Sequence, residues 1–194
     1  MKIENLLLSG FRKFPGSVFI LFVLTILSSG QLLHGGLGPH TLFIKEDGSL
    51  WGMGRNNFGQ LGNGDTTALN TPQRLIEANS TNPIIQVSSG QSHSLFIRKD
   101  GSLWAMGGNH SGQLGDGTVS SRSTPVCIEV SGVVRCSAGY SHSMYIKEDG
   151  SLWGMGSNLS GELGINLAGG VADSFDEGVD LNSSVQVIPS GVSQ

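Results

Sequence analysis

The sequence predicts an all-β fold built from three copies of one four-stranded antiparallel unit. Three observations carry that reading. Gly supplies 30 of the 194 residues, roughly double ordinary usage, and each interior Gly costs a helix about 1 kcal/mol. One segment also recurs: His40 opens HTLFIKEDGSLWGMGRNNFGQLGNG, His93 opens HSLFIRKDGSLWAMGGNHSGQLGDG and His142 opens HSMYIKEDGSLWGMGSNLSGELGIN. The intervals are 53 and 49 residues, and Trp51, Trp104 and Trp153 repeat them. Finally, an Asp-Gly pair stands between two apolar runs in every copy, the strongest short-range hairpin signal a sequence offers.

Each element follows in order. Leu42-Phe43-Ile44, Leu95-Phe96-Ile97 and Met144-Tyr145-Ile146 are apolar at three consecutive positions, so both faces of that strand are expected to be covered. Asp47-Gly48, Asp100-Gly101 and Asp149-Gly150 then supply the chemistry of a two-residue turn, in which Gly accepts positive φ. The returning strand carries Leu50-Trp51, Leu103-Trp104 and Leu152-Trp153. Next, Gly59 and Gly62, Gly112 and Gly115, and Gly161 and Gly164 each bracket one Leu, which predicts a tight loop pressing a single apolar plug into the neighbouring unit. A further strand is expected near Thr71-Pro72, Thr124-Pro125 and Val185–Ile188, and the next unit starts at Ile84–Val87 or Val133–Cys136. A four-stranded unit cannot bury both faces alone, so the units must stack as blades.

These units resemble the regulator of chromosome condensation repeat family. The resemblance rests on the Gly-x-x-His start (Gly90 to His93, Gly139 to His142), the Asp-Gly hairpin, the Trp-Gly-x-Gly strand, and the Asn-x-x-Gly-Gln-Leu-Gly loop of Asn56–Gly62 and Asn109–Gly115. It covers residues 31–194 and implies a β-propeller, seven-bladed in that family, with blades radiating from a central channel. The family includes a chromatin-bound nucleotide-exchange factor for a small GTPase, and exported bacterial proteins that bind other proteins, one of them a secreted β-lactamase inhibitor. The chain is thus similar to an exported, bacterial-type member carrying a partial array. Departures are Leu37 in place of the opening Gly, Glu162 for Gln, and Ile165-Asn166 where the other loops close with Asn63-Gly64 and Asp116-Gly117.

Unit 1 is expected over residues 31–83, unit 2 over 84–132 and unit 3 over 133–191, with 192–194 opening a fourth, because Gly191 aligns with Gly132. Three units do not close a ring. A piece of a longer array, a protomer completing a ring with other copies, and an open three-blade wedge all fit.

Ahead of the repeats, residues 1–30 read as an address. Arg12-Lys13 precede Val18–Leu27 (VFILFVLTIL), and Ser28-Ser29-Gly30 follow. A basic region, a short apolar run and small residues describe a signal peptide, and a run this short falls below the roughly 20 residues of a spanning helix. A cleaved signal, an uncleaved N-terminal helical anchor and a buried core segment are the alternatives. The expectation is a secreted or cell-envelope protein, with membrane attachment through 18–27 as a possible partner interaction. Without residues 1–30 the body keeps 8 basic and 14 acidic residues, a net charge of −6. Phosphate backbones need Lys and Arg, so nucleic acid is not an expected partner. Cys127 and Cys136 lack metal-site spacing and read as two small buried hydrophobes rather than as a disulfide.

His40, His93 and His142 are locked to the repeat, as are Trp51, Trp104 and Trp153. The histidines are expected to hold a turn or a neighbouring strand, with no metal, and the tryptophans to pack between blades. Asp173, Asp176, Glu177 and Asp180, within Ile165–Ser184, fit a solvated insertion better than a Ca²⁺ loop. Asn-x-Ser/Thr triplets begin at Asn79, Asn109, Asn158 and Asn182; the middle two already belong to the loop motif. Neither a nucleophile motif nor a phosphate loop is found, so no catalysis and no cofactor are expected. What varies inside the constant frame is the slot held by Asn57, His110 and Leu159, together with Asp65–Asn70, Thr118–Arg122 and Ala168–Leu181. Loops on a rigid scaffold carry recognition. The expected function is protein or cell-envelope binding by these loops. The alternatives are an exchange-factor-like regulator of a small GTPase, a truncated fragment of a larger multi-repeat protein, and an enzyme using the channel.

Overall fold

The computed structural model describes residues 32–35, 38–165 and 180–190. Their twelve strands form three four-stranded antiparallel sheets, each a meander in sequence order. Blade 1 contains β1 (Leu32–Gly35), β2 (His40–Ile44), β3 (Leu50–Gly54) and β4 (Leu69–Ile76). Blade 2 contains β5 (Ile84–Ser89), β6 (His93–Arg98), β7 (Leu103–Gly107) and β8 (Arg122–Glu129). Blade 3 contains β9 (Val133–Ala138), β10 (His142–Lys147), β11 (Leu152–Gly156) and β12 (Leu181–Ile188). The first strands β1, β5 and β9 lie beside one another, and the fourth strands form the opposite rim. The expected N-terminal helix, Leu37, most of the acidic insertion and the start of a fourth unit lie outside the described residues. Among the described residues no helix is long and apolar enough to cross a membrane.

Alternation along the second strand builds the core. Leu42 and Ile44 point one way and Phe43 the other, as Leu95 and Ile97 oppose Phe96. One face of each blade then meets the opposite face of the next. Leu42, Ile44, Leu50 and Leu61 of blade 1 pack on Ile84, Val87, Phe96 and Met106 of blade 2. Leu95, Ile97, Leu103, Ala105 and Leu114 of blade 2 pack on Val133, Ala138, Tyr145 and Met155 of blade 3. Leu61 and Leu114 are fully buried plugs within these seams.

The Asp-Gly turns differ from the expected two-residue form. Gly48 N–H donates to the Lys45 carbonyl at 2.8 Å, and Lys45 N–H donates to the Ser49 carbonyl at 3.1 Å. Glu46 and Asp47 are therefore the central residues of a type I turn, and Gly48, at φ 79°, is the bulge that follows. That arrangement is the usual three-residue hairpin. Asp47 selects it by accepting the Ser49 amide at 2.9 Å, which bridges the bulge; Asp100 and Asp149 do the same for Ser102 and Ser151.

Each tryptophan stacks within its own blade. The ring pairs are Phe43–Trp51 (6.3 Å), Phe96–Trp104 (6.1 Å) and Tyr145–Trp153 (6.2 Å). Indole N–H donates to Ser49, Ser102 or Ser151 Oγ, and Lys45, Arg98 or Lys147 lies over the ring. Trp104 and Trp153, partly buried, also pack against the inter-blade clusters. Cys136 is buried, and its thiol is pushed up to about 12 by burial. Cys127 is exposed, which corrects the reading of both cysteines as buried: β8 is an outer strand and turns that side chain to solvent.

Gly115 shows why the loop glycines are required. Its φ is +74°, and a Cβ there would collide with Met155 Sδ from blade 3. Gly115→Ala is expected to destabilise the protein by about 1–3 kcal/mol through strain and overpacking, read as a lower denaturant midpoint.

Candidate functional site

One edge of the array gathers the described loops that hold the Asn57, His110 and Leu159 slot. The links entering the second strands and the loops leaving the third strands meet there: Arg55 N–H donates to Pro39 O (2.9 Å), Gly108 N–H to Ser92 O (2.7 Å) and Ser157 N–H to Ser141 O (2.9 Å). The opposite edge carries the Asp-Gly turns, with Glu46, Asp47, Lys99, Asp100, Glu148 and Asp149 exposed.

A buried polar frame shapes each variable loop. Asn56 Oδ1 accepts Leu61 N–H at 2.9 Å, and its amide donates to Asn63 Oδ1 and the Asp65 carbonyl. Asn109 does the same with Leu114, Asp116 and Thr118, and Asn158 with Leu163 and Ile165. The asparagine thus drives the Leu plug inward and closes the loop behind it. Asn109 is fully buried with its amide engaged, which removes it as a glycan acceptor; the Asn158 amide bonds the Ile165 carbonyl, and Asn79 is exposed. Gln60 and Gln113 accept the amides of Phe58 and Ser111, and Glu162 accepts that of Ser160.

In blade 2 the loop is further stapled by Asp116. Its carboxylate accepts from Thr118 N and Oγ1 and from Arg122 Nε at 2.7 Å. Burial raises the carboxyl, yet the hydrogen bonds from Thr118 and Arg122 prevail and hold it below the usual range. Successive loops are tied to the next blade's outer strand by Gly64 N–H to Ser123 O (2.9 Å) and Gly117 N–H to Asn182 O (2.8 Å).

The histidines join blades. His40 Nε2 lies 2.8 Å from Ser94 Oγ of blade 2, and that hydroxyl donates back to the Gln60 carbonyl of blade 1 at 2.8 Å. His93, Ser143 and the Gln113 carbonyl repeat the relay at 2.9 and 2.8 Å. Because the serine's one proton goes to a carbonyl, its oxygen must accept from the imidazole, which assigns the Nε2–H tautomer. Nδ1 of His40 and His93 is left buried without a partner. Burial lowers His40 to about 4 and His93 to about 3, the latter also repelled by His40 and His142, so both rings are neutral near pH 7. Among the described residues no three His, Cys, Asp or Glu side chains gather to hold a metal ion. Ser143→Ala, which orphans the buried His93 N–H and Gln113 carbonyl, is expected to cost about 1–3 kcal/mol, measured by equilibrium unfolding.

On this frame Asn57, His110 and Leu159 are all exposed, Leu159 by 63%. His110 meets Phe58 of blade 1 edge-on at 5.3 Å between centroids, so two adjacent loops form one surface. Tyr140, 63% exposed, lies on the same edge. Sequence reasoning missed Tyr140 and Phe58. The signal for Tyr140 was present: it replaces Gln91 in the Gly-x-Ser-His link that units 2 and 3 share. Residues 65–70 and 118–122 flank this surface, while 166–179 lie outside the described residues.

Stacked four-stranded meanders whose first strands form an inner row define a segment of a β-propeller. The chain belongs to the regulator of chromosome condensation (RCC1) repeat family: residues 47–97 and 100–146 match one description of that repeat, and 84–113 and 133–162 a second, together more than half the chain. Among curated relatives, mouse Protein RCC2 is 44% identical over 86 residues, covering 44% of this chain and 16% of that protein. The human X-linked retinitis pigmentosa GTPase regulator is 40% identical over 86 residues, covering 44% of this chain and 8% of its own length. Among solved structures, yeast RCC1 (Prp20) bound to Kap60 superimposes with a TM-score of 0.68 at 20% identity over 81% of this chain and 37% of that one. Prp20p of Saccharomyces cerevisiae, in a study of its binding to Gsp1p and histones, gives 0.63 at 21% over 81% and 38%. The chain spans under two fifths of these neighbours and at most a fifth of the curated relatives.

Proposed function

We propose that the chain is a protein-binding propeller module that recognises its partner through the loop edge, without catalysis. The observation that carries this is the exposure of His110, Tyr140 and Leu159, with half-buried Phe58 against His110, on an edge whose residues differ between blades, above a frame that repeats. Exposed aromatic and large apolar side chains on a rigid support are the usual energetic centre of a protein interface. The names of two neighbours supply probes: a GTPase regulator is among the relatives, and Prp20p is described with Gsp1p and histones. Regulation of a small GTPase is the second reading, favoured by the first of these names.

The test is titration of the full chain with Gsp1p, in its nucleotide-bound and nucleotide-free forms, and with core histones. Binding of one of them is expected, weakened at least 10-fold by His110→Asp with Leu159→Asp and unchanged by Glu46→Lys with Glu148→Lys on the turn edge. Binding that ignores the loop pair, or none with any probe, overturns the reading. Export through residues 1–30 remains a proposal carried by Arg12-Lys13 and Val18–Leu27. Amino-terminal sequencing of the mature product tests it: a start near Gln31 is expected, and an intact Met1 in a cytosolic product contradicts it.

A further inference from the structure

Two linkers join successive blades, and they differ in length. Ile76 and Glu129 hold the same register against Leu50 and Leu103, as Ile84 and Val133 do against Arg98 and Lys147. Eight positions separate Ile76 from Ile84, and four separate Glu129 from Val133. The four extra residues account for the whole difference between the 53- and 49-residue repeat intervals. Stacking does not require them, since blade 3 packs on blade 2 across the shorter link. The longer linker carries Asn79-Ser80-Thr81, the one triplet of the chain's four Asn-x-Ser/Thr triplets that ends in Thr.

This linker lies at the turn edge, and its anchor is Asn82 rather than Asn79. Asn82 Nδ2 donates to Asp100 Oδ2 at 2.7 Å, its Oδ1 accepts Asp100 N–H at 3.1 Å, and its carbonyl accepts from Arg98 at 3.0 Å. Asn79 is exposed, as are Ala78, Ser80 and Thr81. Its Oδ1 accepts the Thr81 hydroxyl at 2.8 Å and the amides of Thr81 and Asn82 at 3.1 and 3.0 Å. Its Nδ2 has no acceptor among the described residues. The other triplets differ. Asn109 is buried and engaged, and half-buried Asn158 donates to the Ile165 carbonyl. Asn182 is exposed but stands within β12, its Nδ2 donating to the Gly117 carbonyl at 3.2 Å.

We propose that Asn79 is the acceptor of an N-linked glycan; this rests on the export proposed above, since such transfer acts on surface Asn-x-Ser/Thr triplets of exported chains. The donor is a polyprenyl-diphosphate-linked oligosaccharide. Asn79 Nδ2 bonds to its anomeric carbon, and the bond from that carbon to the diphosphate oxygen breaks, its electron pair leaving on the diphosphate. One Nδ2 proton passes to a base of the transferase. A bulky, solvated group fits a linker tip that belongs to neither seam cluster. The glycan stands at the turn edge, opposite the edge that carries His110, Tyr140 and Leu159.

Expression of the full chain in eukaryotic cells tests this, once as it stands and once with a foreign cleavable signal peptide placed before Met1. Protease protection in membrane vesicles reads entry into the secretory lumen. Peptide:N-glycosidase digestion followed by peptide mass spectrometry reads which asparagine is modified. A glycan at Asn79 is expected in both arms, lost completely in Asn79→Gln and in Thr81→Ala and retained in Asn182→Gln. All three positions are exposed, so the variants report on attachment rather than on folding. A glycan at Asn79 in the foreign-signal arm alone supports the acceptor and overturns export through residues 1–30. A lumenal chain unmodified at Asn79, or modified only at Asn109, Asn158 or Asn182, overturns the proposal.

Discussion

Leu114→Ala is expected to lower stability by about 2–5 kcal/mol, the range for a buried Leu truncated in a core that cannot collapse around the gap. Leu114 has no solvent exposure and lies in the cluster joining blades 2 and 3. Its backbone cannot retreat, because its N–H is held by Asn109 Oδ1 at 2.9 Å, and Asn109 is anchored in turn to Asp116 and Thr118. The residual cavity should therefore stay open, placing the cost toward the upper part of that range. Leu159→Ala, at an exposed position outside both seam clusters, should change stability by less than about 0.5 kcal/mol. Urea unfolding of the two variants checks the contrast; equal losses would mean that the loop leucine is not a plug.

Acid should unfold the protein in a window set by the seam histidines. Unfolded, His40 and His93 take up protons near pH 6.5; folded, burial delays this to about 4 and about 3. Between those values the unfolded state binds more protons, so stability rises with pH. The contribution is fully present above pH 6.5 and is lost as pH falls through 4 toward 3. At ~1.4 kcal/mol per unit of displacement, the pair carries roughly 8 kcal/mol as an upper bound, comparable to the whole stability of a small domain. The carboxylate of Asp116 acts at lower pH, since it starts from the ordinary carboxylate range. Urea midpoints should hold from pH 7.5 to 6.5 and fall from there to pH 4, and His93→Gln should flatten that fall. A flat profile from pH 6.5 to 4 would contradict the burial of neutral imidazoles at the seams.

The strands and the plugs were legible because they depend on local pattern: three apolar residues in a row, a Gly pair around one Leu, an Asp-Gly after a charged pair. The seam was not. His40-Thr41, His93-Ser94 and His142-Ser143 read as adjacent pairs in one unit, yet each serine serves the histidine of the blade before it, 54 or 50 residues away. Adjacent residues on a strand point to opposite faces, so the hydroxyl next to a histidine is the one it cannot reach. The turn was misread by one residue for a related reason: Asp-Gly suits both a two-residue loop and a type I turn with a bulge, and only the Asp47 contact to Ser49 distinguishes them. At the candidate site, the Asn57, His110 and Leu159 slot stood out as variation in a constant frame. Phe58 did not, because its meeting with His110 crosses from one blade to the next. Cys127 was assigned by residue type, and the outer position of β8 decided otherwise.

Hydrogen–deuterium exchange of the full chain with and without its bound partner tests the recognition surface most directly. Protection is expected at 55–60, 108–113, 139–141 and 157–161, with none at the turns 45–48, 98–101 and 147–150. Protection confined to those turns would contradict the assignment of recognition to the loop edge.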